Sequence, residues 1–160
     1  MKVLFLALEG VDLYQELMAS ETSRDALMFY APRVTPCGVL IQVSSLGSGI
    51  AFTQEMRWYS RRYMRVVLFQ ITPHAFVTFA LANEIYLSRL QVPDEEWPNR
   101  SMYVFFDSRL VRVVTLSPVL PEKSTLALQE EEVAIEVWDV ISKVSEVGED
   151  LPIAFDPAAS

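Results

Sequence analysis

Two apolar runs that do not alternate set the tightest limit on what this chain can fold into. Lys2–Leu8 (KVLFLAL) and Arg65–Thr72 (RVVLFQIT) carry apolar side chains at successive positions. Neighbouring side chains of a strand point to opposite faces, so such runs suit strands buried on both sides. Their sheet belongs in a domain of two or three layers.

The rest of the chain supplies further strands, with helices between them. Gly38–Ser45, Met102–Asp107 and Leu110–Leu116 read as strands, with Asp107-Ser108-Arg109 as a hairpin turn. Leu13 and Leu17, with Tyr14 and Met18, fall at helical spacing within Val11–Ala19. A second short helix follows, with Thr22 as its cap, and stops before Pro32. Residues 50–64 fit strand alternation and helix alike. The reading favours a helix over Gln54–Tyr63. Thr72-Pro73 has the form of a helix start and predicts a helix to about Leu90. The last helix is read over Thr125–Val147 from the apolar face Val133, Val137, Val140, Val144 and Val147, with a strand over Val133–Ile141 as the alternative. Gly47-Ser48-Gly49 reads as a turn. The expected fold is α/β or α+β. Residues 1–150 form one domain, with a mixed sheet of about five strands and helices packed on it, and residues 151–160 form an irregular tail.

Composition narrows the functional classes. The 160 residues suit one domain, and 51% apolar with 21% charged residues is a globular balance. A net charge of −8 disfavours general binding of DNA or of anionic membranes. The apolar run Val3–Leu8 is short for a secretory segment, and one cysteine allows no internal disulfide, so a cytoplasmic protein is expected. The uncharged stretches Val34–Gln54 and Val66–Asn83 are broken by proline and polar residues, which argues against a membrane span.

The catalytic vocabulary is thin. His74 and Cys37 are each the only residue of their kind, so a structural zinc site lacks ligands. The acidic runs Asp94-Glu95-Glu96 and Glu130-Glu131-Glu132 read as solvated charge. Cys37 with His74 is the one possible thiol–imidazole pair, although a lone cysteine is ordinarily an inert buried hydrophobe. Gly47-Ser48-Gly49 lacks the third glycine of a dinucleotide fingerprint and the Lys of a P-loop. No catalytic residue, metal or cofactor is therefore assigned.

One segment stands out. Arg57-Trp58-Tyr59-Ser60-Arg61-Arg62-Tyr63-Met64-Arg65 puts four arginines and three aromatics in nine residues. Arginine binds carboxylate or phosphate through a fork of donors, and aromatic rings stack on bases. On a helix, Arg57, Arg61 and Arg65 would share a face, with Trp58 turned partly to the core. The plain alternative is pairing with the chain's own carboxylates, since residues 111–160 carry 10 acidic groups against 3 basic ones. The acidic C-terminal helix, with Trp138, is the second candidate surface.

The leading expectation is a non-enzymatic interaction or regulatory module. It would bind a protein partner through Arg57, Trp58, Arg61, Arg62, Arg65 and Trp138, and a homodimer is compatible with it. A second reading is a small enzyme or ligand-binding domain for a phosphorylated or nucleotide-like compound. Its best acids are Glu9 and Asp107 at strand ends, and a pocket joining them to an arginine would favour it. A third is RNA or single-strand binding through Arg57–Arg65, which the overall charge opposes.

Overall fold

The computed structural model describes residues 1–87, 97–116 and 128–140. Along the chain come β1 (Lys2–Ala7), α1 (Leu13–Ala19), α2 (Glu21–Leu27), a 3-10 turn (Met28–Tyr30), β2 (Arg33–Thr35), β3 (Gly38–Gln42), α3 (Leu46–Glu55) and α4 (Arg57–Tyr63). There follow β4 (Met64–Thr72), β5 (Ala75–Thr78), α5 (Phe79–Tyr86), β6 (Arg100–Phe106), β7 (Arg109–Leu116) and β8 (Val133–Trp138). The fold is mixed α and β on a single sheet, as expected, but the sheet has eight strands rather than about five. Their order is β2-β3-β1-β4-β5-β8-β6-β7, antiparallel throughout except for the parallel pair β5–β8.

The period of two divides the strands between two cores. Val3 and Phe5 of β1, Val67 and Phe69 of β4, and Val77 of β5 face the helices, where Leu13, Leu17, Leu27, Ile50, Phe52 and Leu81 cover them. Leu4, Leu6 and Leu68 face the other way, into a second cluster with Leu40, Phe105 and Val137. The unalternating runs are thus buried on both faces. Side chains of β2 and β7, the two edges of the sheet, line one common cleft. On a flat sheet those edges would stand roughly 34 Å apart, at about 4.8 Å per strand. The sheet must therefore curl, and register shifts at Leu6/Ala7, Gln70/Thr72 and Val104/Phe105 help it to bend.

Several local expectations change. Thr72-Pro73 opens a β4–β5 hairpin turn instead of a helix, and α5 begins only at Phe79, capped by Thr78. Val133–Trp138 is a strand, not part of a helix, because β5 and β6 offer it hydrogen-bonding edges on both sides. Glu130–Glu132, expected near the start of that helix, lies in and beside a turn, where Glu131 has φ 68°. Ser20, not Thr22, caps α2, its hydroxyl accepting from Ser23 N at 3.4 Å. Gly47-Ser48-Gly49 lies inside α3, whose cap is Ser45. The single helix expected over Gln54–Tyr63 is instead two, α3 from Leu46 and α4 to Tyr63, which meet at Met56. Asp94–Glu96 and the tail 151–160 lie outside the described residues. Among the described residues, no helix is long and apolar enough to cross a membrane.

Candidate functional site

Helix α4 is short and turns a small polar residue inward. Ser60 is buried, and its hydroxyl donates to Arg57 O at 3.0 Å, so it needs no other partner. Tyr59 and Tyr63 pack against the helix-side core, and Tyr59 Oη lies 2.8 Å from Ser20 Oγ. That orientation leaves Arg57, Trp58, Arg61 and Arg62 on the outside. Trp58, expected to turn partly to the core, is 55% exposed, more outside than in. Arg62 sits one turn on, with its guanidinium carbon 4.3 Å from the Trp58 ring centre. Tyr59 and Tyr63 meet the same ring edge-on at 4.9 and 6.4 Å. Three side chains thus contact the indole while much of it stays open.

The stripe Arg57, Arg61, Arg65 does not form, because α4 ends at Tyr63 and Arg65 belongs to β4. Trp138 is also elsewhere. It is 3% exposed in the helix-side core, and its indole N–H donates to the buried Glu136 carboxylate. Arg100 Nη1 stands 3.7 Å from the same carboxylate. Of the six residues singled out for partner binding, four share the α4 surface, Arg65 lies apart and Trp138 is internal.

Arg65 opens onto the cleft that reveals the curl. This cleft, of about 680 Å³, lies where β1 ends, β4 begins and the β6–β7 hairpin turns over. Glu9 comes just after β1, and Asp12 follows at the cap of α1, accepting from Gln15 N at 3.2 Å. Across the cleft, Asp107 and Ser108 form the hairpin turn, with φ of 53° and 63°. Two successive left-handed residues are what the twist of a two-residue hairpin demands, and aspartate tolerates that region better than most. The turn presents Asp107 and Arg109 to the cleft together. Glu9, Asp107, Arg65 and Arg109 form no ion pair within 4.0 Å among the described residues. The two strand-end acids singled out in the sequence are thus joined with arginine in one recess. Arg109 was the residue missed. Its place directly after a two-residue turn was the signal that could have found it.

The remaining candidates separate. Strand register puts Cys37 beyond the Phe5 end of β1 and His74 beyond its Lys2 end, so the two make no pair. Burial pushes the Cys37 thiol up to about 11, away from a reactive thiolate. Gly47 and Gly49 lie close to neighbouring side chains. A Cβ on Gly47 would lie 2.7 Å from Tyr86 Cε1, and one on Gly49 3.2 Å from Phe69 and Val3. Glu132 pairs with Arg112 at 3.3 Å. Burial raises the Tyr103 pKa, the Asp139 charge adds to that, and Arg65 opposes it. Among the described residues there is no group of three or more His, Cys, Asp or Glu that could hold a metal ion.

Neither a curated protein nor a solved structure matches the chain. A family model, described as "Family of unknown function (DUF5804)", matches residues 1–105. The matched stretch takes in α4, Glu9 and Arg65, and stops just short of the turn that carries Asp107 and Arg109. With well over half of its length matched, the chain belongs to this DUF5804 family.

Proposed function

We propose that this is a non-enzymatic interaction domain that docks an acidic segment of a partner protein on α4. The observation that carries the reading is Trp58, 55% exposed yet held by Arg62 over its ring. Tryptophan and arginine are the residue types most enriched at binding hot spots. An indole already fixed in place loses little side-chain entropy on binding, which favours affinity. Arg57 and Arg62 bring positive charge to this surface on a chain of net charge −8, so charge complementarity favours an acidic partner. The reading goes with a cytoplasmic setting and a regulatory or adaptor role. It no longer draws on an acidic C-terminal helix or on Trp138.

The test is native mass spectrometry of untagged protein purified gently from its own host, run beside Trp58→Ala and Arg62→Glu. A second polypeptide bound to the wild type, and weakened at least about tenfold in both variants, supports the reading. A partner held equally by all three proteins sinks it. A homodimer or a bound nucleic acid lost in the same variants replaces it with self-association or single-strand binding.

A further inference from the structure

We propose that the cleft beyond β1 binds a small zwitterion, its acid group taken by Arg65 and Arg109 and its amine by Glu9 and Asp107. The site is separate from α4. Its volume, about 680 Å³, lies in the range of small-molecule sites, roughly 300–1,000 Å³.

The charge pattern names the ligand class. Three segments distant in sequence bring charged side chains of both signs to one recess, and among the described residues Glu9, Asp107, Arg65 and Arg109 form no ion pair within 4.0 Å. Asp12 also lines the recess, its Oδ1 engaged at the cap of α1, and beside it stand two carboxylates and two guanidinium groups. A guanidinium fork matches a carboxylate or a phosphate, and a carboxylate accepts from an ammonium group. An anion alone would meet Glu9 and Asp107 as repulsion, and a cation alone would meet the arginines in the same way. Only a ligand with both charges satisfies both pairs. Val34, Leu110 and Val111 also line the cleft, and they suit a short apolar body between the charged ends.

Calorimetric titration tests the class by removing one charge at a time. The probes are the dipeptide alanyl-leucine, its N-acetyl form without the amine, and its amide without the acid. Phosphoethanolamine is a fourth probe and distinguishes a phosphate source of the anion from a carboxylate. Saturable binding of either zwitterion, with each singly charged dipeptide at least about tenfold weaker than alanyl-leucine where that is the one bound, is the expected result. Arg109→Gln should weaken the dipeptide but not its amide. Asp107→Asn keeps a residue that tolerates a positive φ, and it should bring the free and acetylated forms together. Equal binding of singly charged and zwitterionic forms overturns the proposal. So does the absence of saturable binding of both zwitterions up to about 10 mM, or zwitterion binding that neither variant changes.

Discussion

Thr78 Oγ1 donates a 2.6 Å hydrogen bond to Asp139 Oδ1, 61 residues further along the chain. The same hydroxyl oxygen accepts from Leu81 N at 3.3 Å and so caps α5. Asp139 Oδ1 also accepts from Val140 N at 2.7 Å. One side chain thus starts a helix and ties down the end of β8, next to the parallel pairing of Val77 with Trp138.

Thr78→Val keeps the β-branched shape and removes both bonds. A lost cap and a lost hydrogen bond to a carboxylate together predict a destabilisation of about 2–3 kcal/mol. Thr78→Ser should stay within about 1 kcal/mol of the wild type, since it keeps the hydroxyl. Urea denaturation followed by circular dichroism separates the two. Equal stability of all three proteins would show that the link carries no load.

Glu136 is a buried acid on the helix side of β8, between the Trp138 indole and Arg100. Glu136→Gln retains an acceptor for the indole N–H, whereas Glu136→Leu leaves that donor buried without it. An unsatisfied buried donor costs about 1–3 kcal/mol, so stability should fall in the order Glu, Gln, Leu. Denaturation midpoints of the three proteins check the order. A leucine variant more stable than the glutamine variant would refute it.

Cys37 predicts how stability responds to alkali. Its folded thiol titrates near 11 against an ordinary 9.0, so in the folded protein it stays protonated where the unfolded thiol ionises. Between those two pH values the unfolded state binds fewer protons, and stability therefore falls as pH rises. Tyr103 acts in the same direction from about its ordinary 10.0 upward, because its pKa is also raised. Cys37→Ala should remove the part of the decline that begins near pH 9, and Tyr103→Phe the part that begins higher. The check is the slope of unfolding free energy against pH between 8 and 11. At pH 8 the folded thiol should also react with a disulfide reagent far more slowly than the unfolded thiol.

Two glycines should answer alanine in opposite ways. A Cβ on Gly38, at φ +154°, would fall 2.2 Å from Phe5 O, a backbone atom in the sheet that cannot swing aside. Gly38→Ala should cost on the order of 4 kcal/mol or prevent folding. The clash at Gly47 is with the end of Tyr86, a half-exposed side chain that can turn away. Gly47→Ala should be neutral, or stabilise by up to about 1 kcal/mol through helix propensity. Thermal melts of both variants decide it.

Local order was largely legible. The apolar runs at β1 and β4, the strands β3, β6 and β7, the hairpin at Asp107-Ser108 and a helix before Tyr63 all follow from neighbouring residues. Thr72-Pro73 misled because a hydroxyl followed by proline suits a helix start and a tight turn equally well. The choice fell to Phe76 and Val77, which pair with Gln70 and Phe69 of β4 and with β8 beyond. Val133–Trp138 misled in the same way, since Val133 and Val137 satisfy a helical spacing as well as a strand.

The candidate sites divide similarly. The Arg–Trp cluster was visible as composition, but a helix two turns long, with Ser60 inward, decided that Trp58 faces out. Glu9 and Asp107 were visible as strand-end acids, while their meeting with Arg65 and Arg109 depends on the curl of the sheet. The sequence by itself determined which segments are strands buried on both faces, that short helices lie between Val11 and Pro32 and before Tyr63, where one hairpin turns, and that one segment concentrates arginine with aromatics. Those properties depend on residues a few positions apart. The tertiary structure decided the strands β5 and β8, the exposure of Trp58 and the assembly of the cleft. Each depends on which distant edge supplies hydrogen bonds or which distant face excludes water, and neither is encoded in local spacing.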